Sequence, residues 1–248
     1  MNYPSEKVLP YSDNGASKDI QVAKMFDEIA PRYDLLNHAL SFGIDRYWRK
    51  KGIRSLQDIC PAKILDIATG TGDLAIQACK MLKPAHIIGI DISDGMMQIG
   101  KEKVATVGLT DVISFEQQDC TAMNFADHSF DAAMIAFGIR NFADIDSGLR
   151  EILRVLRPGG KLMILELSTP EYFPMKQLYH LYSAIIPLAG RCISRSKAAY
   201  RYLPKSIAAF PQNAKMKAIM EQTGFNKVTY QKMTFGVCTM YTGYAKII

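Results

Sequence analysis

The segment Lys63–Leu82 constrains the fold more than any other part of this 248-residue chain. The apolar run Lys63-Ile-Leu-Asp-Ile67 leads into a turn that contains Gly70 and Gly72, and apolar residues then recur at helical spacing from Leu74 onward. A strand that enters a glycine-containing turn and opens a helix surrounds one small ligand with backbone N–H groups and the positive end of the helix. Glycine is needed there because a Cβ atom would hold the ligand away from the backbone. The pattern predicts the first strand and the ligand-binding turn of an α/β sheet.

Two aspartates indicate which ligand the turn binds. Asp66 lies four residues before Gly70, where its carboxylate can brace the turn and hold the cationic tail of an amino-acid-like ligand. Asp91 ends the second apolar run, nineteen residues past Gly72, a spacing at which an acidic residue commonly binds the ribose hydroxyls of a nucleoside. Because the turn has acidic and no basic side chains, it favours a nucleoside without phosphates. The predicted cofactor is S-adenosylmethionine.

Strands and helices alternate from residue 63, which predicts an α/β, Rossmann-like, doubly wound and mostly parallel sheet. Two strand-like runs near the end, joined near Gly236 without a helix between them, predict an antiparallel C-terminal hairpin and a total of seven strands. Such an ending is not typical of nicotinamide dehydrogenases. The expected strands are 63–67, 86–91, 112–117, 130–136, 161–167, 225–235 and 236–248, and the expected helices are 73–82, 94–107, 147–157 and a short one near 121–124.

We expect a single methyltransferase-type domain over residues 18–248 with a mobile arm before it, because residues 1–17 are polar and contain Pro and Gly. The sequence pattern of residues 18–60 predicts three helices, rich in aromatic and basic side chains, that form a lid over a neighbouring pocket. For residues 171–212 we expect a helical insertion that contacts substrate and membrane. Ordinary packing against the sheet is the alternative for the lid.

Composition excludes several classes of protein. Hydrophobic residues make up 48% and charged residues 22%, as in ordinary soluble proteins. No apolar run reaches membrane-spanning length, and the start of the chain lacks a signal-peptide profile. The five cysteines are scattered and form no C-x-x-C pair, so we expect neither a disulfide framework nor a metal site, and a cytoplasmic location.

The net charge of +6 is unevenly distributed. Residues 172–220 contain eight Lys or Arg and no Asp or Glu, and they include the apolar and aromatic stretch 178–193. Apolar surface beside unopposed positive charge suits an anionic lipid interface, and it would also suit RNA. The aliphatic content favours peripheral contact with the inner face of a membrane over nucleic acid, and a solvated basic face is the alternative. The oligomeric state stays open.

Polar residues also follow the third and fourth strands of the predicted sheet. Asp119 can accept a hydrogen bond from the exocyclic amine of an adenine, and the backbone N–H of Cys120 can donate to the ring. Arg140 and Asn141 follow the fourth strand, directly above the same ligand. From physical chemistry alone, pairing of Arg140 with a nearby carboxylate is as plausible as a functional role.

These motifs resemble those of the ubiquinone/menaquinone biosynthesis C-methyltransferase family, within the class I S-adenosylmethionine-dependent methyltransferases. The resemblance runs from about Val22 to the C-terminus, and its most specific segments are Phe137-Gly-Ile-Arg-Asn141 and Tyr200-Arg-Tyr-Leu203. The other matching segments are 26–34, 40–43, 65–73 and 155–160. Asp119-Cys120 stands where the family often has Asn-Ala, and Ala136 where some members have a serine that contacts the cofactor.

The resemblance implies that Thr71, Asp91 and the pair Asp119-Cys120 contact the cofactor. It also implies transfer of a methyl group to a ring carbon of a reduced, polyprenylated quinone precursor, a naphthoquinol first and a benzoquinol second. We predict Asp66, Gly70 and Gly72 as further cofactor-binding residues.

Arg140 is the predicted catalytic residue, because a guanidinium can stabilise the oxyanion that forms when a ring hydroxyl loses its proton. We expect Tyr33, Asn141 and Tyr202 to contact the lipid quinol, and Tyr33, Tyr202 and His38 are candidates for handling the proton. The alternatives are an O- or N-methyltransferase of a soluble small molecule, an NAD-linked oxidoreductase and an RNA-binding protein.

Overall fold

The computed structural model describes residues 3–11, 15–179, 181, 183 and 197–247. The described residues contain one seven-stranded sheet in the order β3-β2-β1-β4-β5-β7-β6. Its strands are β1 (Lys63–Ile67), β2 (His86–Asp91), β3 (Ile113–Gln117), β4 (Phe130–Ala136), β5 (Leu156–Leu167), β6 (Asn226–Met233) and β7 (Cys238–Tyr244).

Helices cover both faces of this sheet. They are α1 (Lys18–Ile29), α2 (Tyr33–Leu40), α3 (Ile44–Arg54), α4 (Asp73–Leu82), α5 (Asp94–Thr106), α6 (Ile145–Val155), α7 (Lys197–Ala209) and α8 (Ala214–Thr223). Strands β1 to β5 pair in parallel, whereas β7 pairs antiparallel with both β5 and β6. The predicted doubly wound sheet with a C-terminal antiparallel hairpin is confirmed.

The alternating faces of the central strands build two separate cores. Leu65 and Ile67 of β1 pack in the cluster that contains the buried face of α6. Ile64 packs on the other face of the sheet, with α4 and the aromatic ring of Trp48 from α3. Because β1 lies between β2 and β4 and is covered on both faces, its apolar side chains are inaccessible to water. The sheet therefore holds the carboxyl end of β1 rigidly in the middle of the molecule.

Local hydrogen bonds correct three of the predicted boundaries. The helix expected over 147–157 spans Ile145–Val155, because the Asp144 side chain accepts from Ser147 N and caps it, while Leu156 pairs with Phe130 in the sheet. The short helix expected near 121–124 is a turn, since Asp119 Oδ1 accepts a hydrogen bond from Thr121 N at 2.8 Å. β5 begins at Leu156, five residues before the expected start at 161, and β6 and β7 are shorter than the expected runs 225–235 and 236–248. Differences of one residue occur at the start of β3 and the end of α5.

The N-terminal segment contacts the folded body. Tyr3 donates its hydroxyl hydrogen to Asp146 at 2.8 Å, and Glu6 accepts from the backbone N–H of Ile145 at 3.0 Å. The mobility expected of residues 1–17 stays a prediction.

The part of the basic segment that the structure describes consists of residues 172–179, 181, 183 and 197–220. Arg191 and Arg195, and most of the apolar stretch 178–193, lie outside the described residues. No helix in the described ranges is both long and apolar enough to cross a membrane.

Candidate active site

The carboxyl ends of β1, β2 and β4 meet at two small adjoining cavities of about 20 and 70 Å³. Asp66 and Thr71 line the smaller one, and Asp91 and Asp119 line the larger one. Both are bounded by Ala68, Gly70, Tyr33 and Ala136. We call these two cavities together the carboxylate crevice. The sheet thus brings together the carboxylates that sequence reasoning selected from three separate strand ends.

Asp66 is a buried carboxylate with one free oxygen. Its Oδ2 accepts a hydrogen bond from Thr69 Oγ1 at 2.6 Å, while Oδ1 has no hydrogen-bond partner among the described residues. Burial raises the pKa of Asp66 to about 7, and the neighbouring charge of Asp91 adds to the shift, against the lowering effect of the Thr69 hydrogen bond and of Arg49. A cation placed at Oδ1 would therefore find a buried charge that needs a counter-charge.

Asp91 braces the glycine turn. Its Oδ2 accepts from Gly70 N at 2.8 Å and its Oδ1 accepts from Ser93 N at 2.9 Å. Burial raises the pKa of Asp91, and these backbone hydrogen bonds oppose the shift. Each carboxylate oxygen has two lone pairs, so Asp91 can still accept hydrogen bonds from a diol in the crevice.

Two glycines of the turn have different roles. Gly70 adopts a φ of 57° and lines both cavities of the crevice, so its backbone is exposed to a ligand. Gly72, with a φ of 76°, is not among the described residues that line the crevice. A Cβ at Gly72 would lie 2.9 Å from the ring of Phe115. Gly72 therefore allows close packing behind the turn.

The larger cavity of the crevice also holds Cys120 and Asn141. Burial raises the pKa of the Cys120 thiol well above its usual range, so it is uncharged there. The side-chain Oδ1 of Asn141 is buried without a hydrogen-bond partner in the described ranges. Asn141, which was predicted to contact the substrate, lines the larger cavity of the crevice and is not among the described residues that line the other large cavity of the molecule.

Sequence reasoning missed a cluster of charges that joins α2 to the glycine turn. Asp34 of α2 accepts hydrogen bonds from Thr71 Oγ1 at 2.6 Å and from Lys103 Nζ at 2.8 Å. Lys103 also pairs with Asp73 at the start of α4. The predicted cofactor residue Thr71 thus has its hydroxyl hydrogen bonded to α2. Since 37 residues separate Asp34 from Thr71, no local pattern could reveal this contact.

Arg49 of α3 is a second residue that sequence reasoning missed. It lines the smaller cavity beside Asp66. Its Nη1 donates to Asp45 at 2.6 Å and lies 3.5 Å from Asp73, while its buried Nε has no partner in the described part of the chain. The smaller cavity therefore presents a carboxylate and a guanidinium side by side, which complements the ammonium and carboxylate of an amino-acid tail.

A separate apolar cavity of about 350 Å³ adjoins the crevice. Phe26, Tyr33 and Phe137 line both this cavity and the crevice, so they form the wall between them. Most of the remaining lining comes from α1 to α3, the residues after β5, and α7, including Met25, Leu40, Trp48, Leu178, Leu203 and Ile207. A hydrophobic, ring-bearing molecule fits such a lining.

Arg140 is the main charged group in the apolar cavity. Its Nη1 donates to Glu166 Oε1 at 2.7 Å and to the carbonyl oxygen of Phe137 at 2.5 Å. The Coulombic attraction of Glu166 raises the pKa of Arg140 against the opposing effect of burial, so the guanidinium stays charged. Its Nε is buried and has no acceptor within the described residues. Arg140 thus pairs with a carboxylate and also retains a free donor.

Tyr33 and Tyr202 line the apolar cavity, whereas His38 is not among its described lining residues. Tyr202 lines the apolar cavity, and its buried hydroxyl has no hydrogen-bond partner in the part of the chain that is described. Burial raises the pKa of Tyr33 and of Tyr202, so both phenols stay neutral. His38, a predicted proton handler, lies 3.0 Å from Asp45 and is not among the described lining residues of either site.

The crevice fits S-adenosylmethionine by its chemistry. In the smaller cavity Asp66 and Arg49 offer opposite charges that suit an amino-acid tail, and in the larger cavity Asp91, Asp119 and Cys120 offer polar groups that suit a nucleoside. A pyrophosphate would meet three carboxylates.

Comparison with known proteins identifies relatives of this chain along nearly its whole length. The family model described as the ubiE/COQ5 methyltransferase family matches residues 14–245. The chain is 55% identical to the demethylmenaquinone methyltransferase of Bacteroides fragilis over 98% of its length and 99% of the relative. It is 44% identical to the demethylmenaquinone methyltransferase of Thermus thermophilus, over 88% of this chain and 99% of that one. It is also 44% identical to the ubiquinone/menaquinone biosynthesis C-methyltransferase UbiE of Geotalea daltonii, over 91% of this chain and 97% of that one.

Solved structures share the fold at low sequence identity. A Thermotoga maritima S-adenosylmethionine-dependent methyltransferase, titled a possible histamine N-methyltransferase, superposes with a TM-score of 0.61 at 18% identity, covering 90% of this chain and 99% of that one. The [4+2]-cyclase SpnF superposes with a TM-score of 0.57 at 18% identity, covering 96% of this chain and 100% of that one. The fold alone therefore does not fix the reaction. The match over nearly the whole length does fix the family: this chain belongs to the ubiE/COQ5 methyltransferase family.

Proposed function

We propose that this chain transfers the methyl group of S-adenosylmethionine to a ring carbon of a polyprenylated demethylmenaquinol, which yields menaquinol. Relatives named demethylmenaquinone methyltransferase, which match over nearly the full chain, support the reaction. The observation that carries the proposal is the shared wall of Tyr33 and Phe137 between a carboxylate crevice and a large apolar cavity. Donor and acceptor can meet across that wall.

Asp66, Arg49 and Asp91 are our proposed cofactor ligands. Asp66 Oδ1 accepts from the ammonium of the tail, the guanidinium of Arg49 binds its carboxylate, and Asp91 accepts from the ribose hydroxyls. Gly70 supplies backbone contact, Thr71 orders the turn from Asp34, and the pair Asp119-Cys120 recognises adenine. Support comes from the unpartnered polar atoms of Asp66 and Arg49 in one small cavity.

When bound, S-adenosylmethionine supplies an electrophilic methyl group on sulfur. The chain has to position a carbon against it, and holding both reactants in line can lower the barrier by about 7–11 kcal/mol. The apolar cavity binds the quinol ring and excludes water, and Tyr202 hydrogen-bonds a ring hydroxyl. Arg140 donates to the other ring oxygen, and its positive charge stabilises the phenolate that forms when that hydroxyl gives its proton to solvent. The new carbon–carbon bond forms as the methyl–sulfur bond breaks, S-adenosylhomocysteine is the leaving group, and the methylated ring carbon then releases its hydrogen as a proton to solvent. Arg140 stays protonated, so it is not the base.

Residues 18–60 are our proposed lid. Tyr33 and Phe26 from this region line both the crevice and the apolar cavity. Asp27 of α1 accepts hydrogen bonds from Ser93 Oγ at 2.6 Å and from Gly95 N at 3.0 Å, which supports a closed position of the lid against α5.

The membrane contact is proposed to use exposed apolar side chains that we call the apolar rim: Phe42 and Leu178, which line the apolar cavity, and Tyr172, Phe173 and Phe235, which lie within three residues of its lining residues Met175 and Thr234 along the chain. Phe42 is 82% and Phe235 79% exposed. Solvated aromatic side chains at the opening of a lipid-binding cavity favour insertion into an interface.

Contacts between the segments that carry the apolar rim support one continuous surface. Trp48 Nε1 of α3 donates to Thr234 Oγ1 at 2.8 Å, which holds the tip of the C-terminal hairpin near α3. The ammonium of Lys232 lies 5.7 Å from the ring centroid of Tyr172. Exposed basic residues of the segment 172–220 would add attraction to anionic lipid, as proposed from its charge; those described are Lys176, Arg201, Lys205 and Lys215.

Methyl transfer into defined quinols tests the proposal. Vesicles that contain demethylmenaquinol or a demethylated benzoquinol are incubated with methyl-labelled cofactor and the purified chain. We expect label in the naphthoquinol product, and an Arg140→Ala variant that loses turnover while it retains cofactor affinity. Labelling of soluble metabolites alone would overturn the lipid substrate. Undiminished turnover of Arg140→Ala would remove Arg140 from the chemical step.

Methylation of a benzoquinol is the second candidate. Relatives named ubiquinone/menaquinone biosynthesis C-methyltransferase UbiE favour it. The same vesicle assay separates the two, because the labelled products differ in their ring system.

A further inference from the structure

Lys18, the first residue of α1, is a buried lysine that is not among the described residues lining the crevice or the apolar cavity. Its Nζ donates to the carbonyl oxygens of Ser5 at 2.7 Å, Phe142 at 2.9 Å and Arg140 at 3.4 Å. An ammonium has three N–H donors, so these three carbonyls use all of them. Burial lowers the pKa of Lys18 to about 8, so the ammonium is still the main form at neutral pH. A buried cation is costly to desolvate, and the hydrogen bonds to these three carbonyl oxygens offset that cost.

Two of the three carbonyls belong to Arg140 and to Phe142, the residue directly after the turn that carries Arg140. This turn is a single 3-10 turn, Ile139–Asn141. The last carbonyls of so short a helix have no partner inside it, and a positive charge complements that end. From the opposite side, Glu166 accepts hydrogen bonds from the Arg140 backbone N at 3.2 Å and from its guanidinium. The turn is therefore held between Glu166 of β5 and Lys18 of α1.

The third carbonyl joins the turn to the N-terminal segment, and we call residues 3–8 the N-terminal strap. Ser5 is fully buried under Lys18. Glu6 Oε1 accepts from the backbone N of Ile145, the first residue of α6, and Tyr3 donates to Asp146 in the same turn of that helix. Since α6 begins three residues after Phe142, the N-terminal strap and Lys18 enclose the segment that carries Arg140.

We propose that Lys18 is a positioning residue for methyl transfer, which fixes the backbone of Arg140 and Phe142 and fastens the N-terminal strap across the start of α6. This rests on the role proposed above for Arg140. A misplacement of about 1 Å can reduce a rate by roughly 100-fold. Removal of the Lys18 ammonium should therefore act on kcat. Cofactor affinity should change little, since Lys18 is not among the described residues that line the crevice.

The first test compares Lys18→Met with Lys18→Arg in the full chain. The matched control is Lys101→Met, which changes an exposed lysine of α5. We expect Lys18→Met to lower kcat about 10- to 100-fold, with cofactor Kd from calorimetry within about twofold. Lys18→Arg should recover part of kcat because it restores a cation with several donors, and Lys101→Met should resemble the wild type. Glu6→Ala, which removes the acceptor for Ile145 N, should lower kcat in the same direction by a smaller factor.

A double-mutant cycle with Arg140→Lys separates positioning from general loss of structure. If Lys18 acts through Arg140, Lys18→Met lowers kcat much less in the Arg140→Lys background than in the wild type. Equal factors in both backgrounds, or an unchanged kcat for Lys18→Met while Arg140→Lys is slow, would overturn the inference. Wild-type turnover of Arg140→Ala would instead overturn the function proposed for Arg140, whatever Lys18→Met does. If Lys18→Met does not fold, the cycle is measured with Lys18→Arg and Glu6→Ala.

Discussion

Replacing Asp66 with Asn should weaken cofactor binding and remove its pH dependence. The structure gives the size of the effect. Burial raises the pKa of Asp66 from 3.8 to about 7 in the free protein, a shift of about 3 units that disfavours the charged form by about 4 kcal/mol. An ammonium at the free Oδ1 supplies the missing counter-charge and returns the pKa toward its ordinary value. Cofactor binding is therefore linked to the ionisation of Asp66.

The direction of the pH dependence of Kd follows from the form of Asp66 that binds the cofactor, which is the ionised carboxylate. Below pH 7 the neutral acid predominates and attracts the ammonium less, so Kd rises as pH falls. Between pH 7.5 and pH 5.5 a group with a pKa of about 7 raises Kd by about 20-fold. Asp66→Asn removes this dependence. At pH 7.5 it also raises Kd by about 10- to 100-fold, since a hydrogen bond to a charged group contributes about 1.5–3 kcal/mol.

Isothermal titration calorimetry with S-adenosylhomocysteine measures both effects, because that product keeps the amino-acid tail without the sulfonium. Titration with S-adenosylmethionine in parallel isolates the contribution of the methyl-bearing charge. His38→Gln is the matched control for a second titratable side chain, since His38 Nε2 lies 3.9 Å from Asp73 at the edge of the crevice. A wild-type Kd that is flat from pH 5.5 to 7.5, or an Asn variant that keeps the wild-type slope, would refute the reasoning.

Further predictions address the other parts of the site. Asp91→Ala should raise the cofactor Kd at least 10-fold, measured by calorimetry, because it removes both the ribose acceptor and the brace on Gly70; an unchanged Kd contradicts the ribose assignment. Arg49→Met should raise Kd for the cofactor more than for a decarboxylated analogue, and equal effects on both would contradict a carboxylate contact. Lys103→Met should speed release of S-adenosylhomocysteine several-fold in stopped-flow displacement, because it loosens α2 from the turn. Paired Phe173→Ser and Phe235→Ser substitutions, at residues that are not among the described lining residues of the apolar cavity, should reduce flotation with anionic vesicles, while activity on a short-chain quinol in detergent stays at the wild-type level.

The fold was predictable where burial alone determines structure. The bounds expected for β1, β2 and β4 are those observed, because continuous apolar runs leave a central parallel strand little choice of register. Errors arose where a single polar side chain decided a boundary. Asp144 begins α6 two residues early, and Asp119 closes a turn where a helix was expected.

The site was predictable only where each residue sits at a strand end. Asp66 and Asp91 lie at the carboxyl ends of β1 and β2, and Asp119 lies just after β3. The carboxyl ends of neighbouring parallel strands meet at one edge of the sheet, so the convergence of these residues follows from topology. Arg49 and Asp34 come from helices that precede the sheet, and nothing in their local sequence indicates which strand they cover. Glu166, the partner of Arg140, is a buried acid in a central strand, and its role appears only from the pairing of distant segments.

The residues that sequence reasoning missed explain how the two cavities are coupled. Tyr33 lines the crevice and the apolar cavity, while the next residue, Asp34, binds Thr71 of the glycine turn and Lys103 of α5. The helix α2, which lines the apolar cavity, therefore rests on the glycine turn of the crevice. A motion of α2 that changes one cavity would also change the other. If donor and acceptor meet across the wall between the cavities as proposed, loosening these contacts should speed product release and slow the chemical step together.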